Sequence, residues 1–146
     1  MGQRERLNEY LKSVRDVPFK WGEHDCLTFT NDAFHAMYGE GWADDWLGRY
    51  MRDGELLSRY QLIEEFGFGK VLGRAGTDLF NMAVDKKLTR INYVPPLGAL
   101  ITTRKAQRWI TGVAMGISVG TKGVFLSDEG VLYLPLDAVE KAWIKQ

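Results

Sequence analysis

The segment Pro18–Gly39 constrains the fold of this chain more than any other part of its 146 residues. Trp21-Gly22 has the composition of a turn, and Asp25 is a favourable helix N-cap directly before an apolar, helix-periodic run. The pattern predicts a helix that begins at Cys26 and ends at Gly39. The segment also contains the only cysteine and both histidines, so it holds the chain's only candidates for thiol and imidazole chemistry.

Cys26 is the candidate nucleophile. A cysteine in the first turn of a helix meets the positive end of the helix dipole and unpaired backbone N–H groups, and both favour the thiolate over the thiol. Asp25 would cap this helix and support the oxyanion side of such a site. The alternative is that Cys26 is a small buried hydrophobic residue, as most free cysteines are.

Composition excludes several classes of function. Nineteen basic and nineteen acidic residues give no net charge, and no stripe of Lys or Arg favours nucleic acid or an anionic membrane. One cysteine excludes an internal disulfide, and one Cys with two His has no recognisable zinc spacing, so we expect neither metal nor cofactor. The first residues contain no apolar signal region, and no segment is apolar enough to span a bilayer, which predicts synthesis in a cytoplasm.

The first half of the chain predicts helices. Apolar spacing indicates a helix from Arg4 to Arg15, then the Cys26 helix, then one after Asp53-Gly54 that ends at 67–69, and a weaker one over Asp78–Asp85. The helix predicted after Asp53-Gly54 would place three residues on one face: Leu56, Tyr60 and Ile63.

Between the second and third of these helices, residues 41–50 predict an ordered loop rich in aromatic residues. Three of them are candidates for contact with a partner protein, or otherwise for the core: Trp42, Trp46 and Tyr50.

The second half predicts strands, over 88–94, 98–103, 109–119, 124–126 and 131–134, followed by a short terminal helix from Pro135. In the longest strand, Ala114, Gly116 and Ser118 form a face of small side chains, and we expect the Cys26 helix to pack there. The chain is therefore predicted to be one α+β domain over 1–146, with N-terminal helices packed on a C-terminal antiparallel sheet.

Two motifs resemble those of a known family. Residues 18–26 read P-F-K-W-G-E-H-D-C and residues 131–136 read V-L-Y-L-P-L. The first resembles the Y/W-G-x(n)-D-C motif of the NlpC-type cell-wall peptidases, which are papain-like cysteine enzymes. Together the two resemble most closely a small phage- and prophage-encoded branch of that superfamily that is carried beside tail genes. The resemblance implies a papain-like (NlpC-like) fold.

The resemblance also implies where a general base should lie. Residues 114–120, A-M-G-I-S-V-G, fit the strand that reads H-V-G-I-Y-L-G in the NlpC-type pattern, with the glycines in register. Ala114 therefore occupies the position expected for the catalytic histidine. His24 is a weak substitute, because it lies on the turn before Cys26. His35 lies about 13 Å further along the helix and cannot pair with Cys26 directly.

Two hypotheses follow, and both imply a phage tail and hence a virion location. In the first, the chain is a tail-tip or tail-assembly protein with a degenerate catalytic site, and its partners are hub and distal-tail proteins. In the second, it is a cysteine peptidase or amidase that cuts host peptidoglycan during genome entry, with Cys26 as nucleophile and His24 as an unusual base. A toxin or immunity-type binding protein would share the topology, but no residue pattern favours it.

Overall fold

The computed structural model describes residues 2–66, 75–106, 108 and 112–146. Its described α-helices precede the main sheet, and they are α1 (Gln3–Val14), α2 (Cys26–Tyr38), α3 (Arg59–Phe66) and α4 (Ala75–Asp85). The two N-terminal helices confirm the prediction to within a residue at each end. None of the helices described here is long and apolar enough to cross a membrane.

The strands form two sheets. A small hairpin pairs β1 (Met51–Arg52) with β2 (Glu55–Leu56). The main sheet contains β3 (Thr89–Ile91), β4 (Leu100–Thr103), β5 (Ala114–Ser118), β6 (Lys122–Ser127), β7 (Gly130–Pro135) and β8 (Val139–Ile144). Its six strands lie in the order β3-β8-β4-β5-β6-β7, and each neighbouring pair is antiparallel. The predicted α+β class with a C-terminal antiparallel sheet is confirmed.

Helices α1 and α2 cover one face of this sheet. The helices contribute Leu7, Leu27, Phe29 and Phe34 to the main core, and the sheet contributes Leu100, Met115, Ile117, Val124 and Trp143. A second, smaller cluster lies on the opposite face and contains Ala99, Ile101, Phe125 and Ala142. Because side chains alternate along a strand, β4, β6 and β8 each supply residues to both clusters.

The expectation for the small-residue face of β5 was wrong. Met115 and Ile117 face α2, whereas a side chain at Gly116 would meet Phe125 on the opposite face. Gly116 is therefore needed because the Val124 carbonyl and the Phe125 ring of the neighbouring strand β6 occupy the space that a side chain would take.

The predicted third helix is present but starts later than expected, and the predicted terminal helix is a strand. Asp53-Gly54 forms the turn of the β1–β2 hairpin. Its φ angles are 53° and 80°, and positive φ at both central residues is typical of a two-residue hairpin turn. Leu56 therefore belongs to β2, and α3 begins only at Arg59. Pro135 is followed by a single 3-10 turn, Leu136–Ala138, and then by β8 instead of a terminal helix.

The remaining strands are shorter or longer than predicted by a few residues at their ends. The predicted strand over 109–119 is observed as Ala114–Ser118, and its positions 109–111 lie outside the described residues. The predicted helix end at 67–69 lies outside them as well.

Candidate functional site

The N-terminus of α2 is built around the carboxylate of Asp25. Its Oδ1 accepts hydrogen bonds from the backbone N–H groups of Leu27 and Thr28, both at 2.9 Å. The Asp25 N–H donates in return to Thr28 Oγ1 at 2.8 Å, which completes a reciprocal capping box. The predicted cap is confirmed.

The other oxygen of this carboxylate connects the helix to the preceding turn and to a residue 25 positions further along the chain. Asp25 Oδ2 accepts from the Gly22 N–H at 2.7 Å and from the Tyr50 hydroxyl at 2.5 Å. Gly22 has a φ of 84°, a conformation that glycine adopts without strain. Both Asp25 and Tyr50 are buried, and burial is the first cause that raises the pKa of Tyr50 above its ordinary value. The carboxylate thus holds the turn, the helix and the 41–50 loop together.

Cys26 is enclosed instead of exposed. Its side chain is 1% exposed, and burial, with the neighbouring Asp25 carboxylate as the second cause, raises its pKa to about 12. Hydrogen bonds with the backbone of Met115, Cys26 and Leu27 oppose this rise without cancelling it. The helix terminus favours the thiolate, as the sequence suggests, but desolvation is the larger effect. At neutral pH Cys26 is a protonated thiol.

Position 114 does not face Cys26. Strand alternation places the Ala114 side chain on the same face as Gly116, whereas Met115 lies on the α2 side and its backbone contacts the thiol. Ala114 is itself buried.

His24 lies close to Cys26 in sequence but does not pair with it. The ring is 9% exposed and packs edge-on against Phe29, with the ring centroids 6.1 Å apart. Within the described residues, His24 Nε2 has no hydrogen-bond partner, and so it does not bond to the Cys26 thiol. Burial lowers the pKa of His24, and the carboxylates of Asp25 and Asp32 act in the opposite direction.

His35 anchors the loop that follows α2. Its Nε2 lies 2.7 Å from Asp44 Oδ1, and the Asn31 side-chain amide donates to the same oxygen at 2.7 Å. Asn31 also accepts from the Ala43 N–H at 2.8 Å. These contacts fix residues 41–44 on α2, a role that the sequence did not assign to Asn31, because its partners are 12 and 13 residues away.

The aromatic residues expected to contact a partner are part of the core. Trp42, Trp46 and Tyr50 are 5%, 6% and 1% exposed. The Trp42 indole N–H donates to Thr30 Oγ1 at 3.1 Å, and its ring packs against Trp46 with centroids 5.5 Å apart. The expected partner surface is therefore wrong for these three side chains: the loop is ordered because its aromatic residues are buried.

The described part of the chain contains no group of three or more His, Cys, Asp or Glu side chains that could hold a metal ion.

Comparison with known proteins gives one finding. A family model described as "Domain of unknown function (DUF6950)" matches residues 2–144. The chain belongs to the DUF6950 family. No curated protein and no solved structure matches it. The residues around Asp25 and Cys26 therefore form a candidate site in a DUF6950 domain. The geometry of this site is the evidence for its chemistry.

The Asp25–Tyr50 hydrogen bond should be a major contributor to stability. Asp25→Ala leaves four donors without their acceptor, and we expect a loss of about 3 kcal/mol or more in the free energy of unfolding. Tyr50→Phe removes one bond to a charged group and should cost about 1.5–3 kcal/mol. Urea denaturation measures both. Tyr133→Phe, at a half-exposed side chain, is the matched control and should change the value by less than about 0.5 kcal/mol. Equal losses in Tyr50→Phe and Tyr133→Phe would contradict this assignment.

The Cys26 thiol should resist alkylation. Because it is buried and its pKa is raised to about 12, iodoacetamide at pH 7–8 should modify the native chain only as fast as it unfolds. The same chain in denaturant should react with the profile of an ordinary thiol, near pH 8.5. Mass spectrometry of timed samples measures both rates. A half-point below about pH 7 in the native chain would show a stabilised thiolate and would overturn the assignment.

Mild acid should destabilise the fold through His24. Its pKa is lower in the folded chain than in the unfolded chain, so the unfolded state binds the proton more strongly. This contribution to stability is fully present above about pH 6.5 and is lost progressively as the pH falls below that value. Urea titrations between pH 7.5 and 5 should show the decline in the parent chain and in His35→Gln, but a smaller decline in His24→Gln. If the free energy of unfolding of His24→Gln fell with pH as steeply as that of the parent chain, this role of His24 would be ruled out.

Proposed function

We propose that this chain is a structural protein of a phage tail, with a papain-like, NlpC-like scaffold whose catalytic site is degenerate. It would be built into the tail tip of the virion and would dock on hub or distal-tail proteins. The resemblance of residues 18–26 and 131–136 to the tail-associated branch supports the phage origin. The order of the chain, with a Cys-bearing helix packed on a later antiparallel sheet, is compatible with that scaffold.

The buried thiol of Cys26 is the observation that carries the non-catalytic part of the proposal. A cysteine peptidase needs a thiolate that the substrate can reach and an imidazole that takes and returns a proton. Here the thiol is 1% exposed, and its pKa is raised to about 12. Such a group neither meets a peptide bond nor carries the negative charge needed to attack it.

The residues around Cys26 support the same conclusion. Asp25 uses both carboxylate oxygens for the helix cap, Gly22 and Tyr50, so its role is to hold the scaffold. His24 Nε2 makes no bond to the thiol in the described structure, and Ala114 provides no imidazole. The motif therefore has a structural role here, in which Asp25 caps the helix and fixes it to the turn at Gly22.

The test separates the two hypotheses with one substitution. In a phage that carries this gene, Cys26→Ala should leave infectivity and tail assembly unchanged, and mass spectrometry of purified tails should detect both forms of the chain. The purified parent chain should release no peptides or amino sugars from host peptidoglycan. Circular dichroism and urea denaturation verify that Cys26→Ala is folded.

Two results would count against the proposal in different ways. Peptidoglycan cleavage by the parent chain that is lost in Cys26→Ala would establish the peptidase. Assembled tails that lack the chain altogether would remove the structural role.

A further inference from the structure

One nitrogen of the His24 imidazole is buried without a partner. The residue is 9% exposed, and Nε2 has no hydrogen-bond partner in the part of the chain that the structure describes. In a neutral imidazole this nitrogen can be the unprotonated one, and a single acceptor is then left unpaired. The imidazolium carries a proton on both nitrogens, and a buried charged donor without an acceptor is far more costly. Protonation of His24 therefore requires a change in its surroundings.

The carboxylates near His24 favour its protonated form without bonding to Nε2. Asp25 lies in the same segment and Asp32 lies on α2, and both oppose the burial that lowers the pKa of the ring. On α1, the Tyr10 hydroxyl donates to the Phe29 carbonyl at 3.2 Å and is uncharged, since burial raises its pKa above the ordinary value. If the ring moved into solvent, the effect of burial would be lost while the two carboxylates stayed nearby. Such an open state would bind the proton more strongly than the unfolded chain does.

The turn that carries His24 is held by few contacts. The Lys20 N–H donates to the His24 carbonyl at 2.9 Å, and the His24 N–H donates to the Lys20 carbonyl at 2.8 Å. The side chains of Lys20 and Glu23 form an exposed ion pair at 3.0 Å, so they add no net charge beside the ring. The Gly22 N–H donates to Asp25 Oδ2 at 2.7 Å. A short segment with so few bonds opens at a lower free energy than the core does.

The same turn packs against the part of the core that contains Cys26. Phe19 and Trp21 are partly buried and pack against the core cluster to which Cys26 belongs. The two rings meet edge-on, with their centroids 4.9 Å apart. Release of the turn would withdraw both rings and break the bond between Gly22 and Asp25, the residue directly before Cys26. Water would then reach the N-terminus of α2.

We infer that the turn over residues 19–24 is an acid-sensitive latch beside Cys26, which opens when His24 takes up a proton and thereby makes the thiol accessible. At neutral pH the latch is closed and the thiol is enclosed. In the open state the imidazolium is solvated, and Cys26 has the reactivity of an ordinary exposed thiol. The inference goes beyond the proposed function, because it stands whether or not the chain belongs to a phage tail.

Thiol labelling as a function of pH tests the inference. Dithiodipyridine reacts with thiols in mild acid as well as at neutral pH, so the labelling of Cys26 can be followed across the whole range. The rate for the native chain is divided by the rate for the chain in denaturant at the same pH, which removes the titration of the reagent and of the thiol. Between pH 7 and 5 this ratio should rise by up to about tenfold per pH unit, the limit for one proton.

Two histidine variants provide the matched comparison. His24→Gln removes the titrating group and should show no rise in the labelling ratio. His35→Gln, on the same helix side of the chain but bonded to Asp44, should show the same rise as the parent chain. Circular dichroism verifies that both variants are folded. The inference is overturned if the ratio for the parent chain does not rise in acid, or if it rises equally in His24→Gln.

Hydrogen exchange separates opening of the latch from unfolding, and it needs only the parent chain. As the pH falls from 7 to 5, the amides of Gly22 and His24 should lose more protection than the Ser118 amide, which donates to the Ala99 carbonyl at 2.9 Å. Protection is corrected for the intrinsic exchange rate at each pH. Equal losses at Gly22, His24 and Ser118 would also overturn the inference, because Cys26 would then be reached only through unfolding of the chain.

Discussion

The structure around α2 depends on one buried carboxylate that is shared among three parts of the chain. Asp25 is fully enclosed, and burying a charge is costly unless its hydrogen-bonding capacity is satisfied. Here that capacity is met by the first turn of α2, by Gly22 and by the Tyr50 hydroxyl. Because each bond to a charged acceptor contributes about 1.5–3 kcal/mol, the turn, the helix and the loop are coupled through one side chain. A change in any of them is transmitted to the N-terminus of α2, where Cys26 lies.

Burial, with the same carboxylate as the second cause, determines the chemical state of the thiol. The negative charge of the capping aspartate opposes a thiolate beside it, although backbone groups of Cys26 and Leu27 favour one. Burial against β5 acts in the same direction. The helix start that makes Cys26 look activated in sequence is thus outweighed once the side chain is enclosed, and the capping carboxylate adds to the effect of burial. Position at a helix terminus predicts reactivity only where solvent or a basic partner can reach the sulfur.

Local signals were sufficient for some elements and insufficient for others. The cap at Asp25 and the helix end at Gly39 were predictable because each depends on residues within one turn. The partner of Asp25 is 25 residues away at Tyr50, and no spacing rule connects them. Strand β8 was missed because Leu136, Val139 and Trp143 fit a helical period, although its pairing with β3 and β4 places it inside the sheet. Tertiary pairing decides such ambiguous segments, and a single sequence does not contain it.

The geometry of β5 argues against an imidazole that would face Cys26 from position 114. On the correspondence that the resemblance implies, a histidine at position 114 would replace Ala114. Strand alternation directs that position to the face of Gly116, away from the Cys26 thiol, and Ala114 is buried there. A working dyad would need a shift in the register of β5 as well as an opening above Cys26. A one-residue shift moves every side chain of the strand to the other face, so Met115 and Ile117 would leave the core that α2 covers. The packing that stabilises this fold is therefore incompatible with an imidazole that faces Cys26 from position 114.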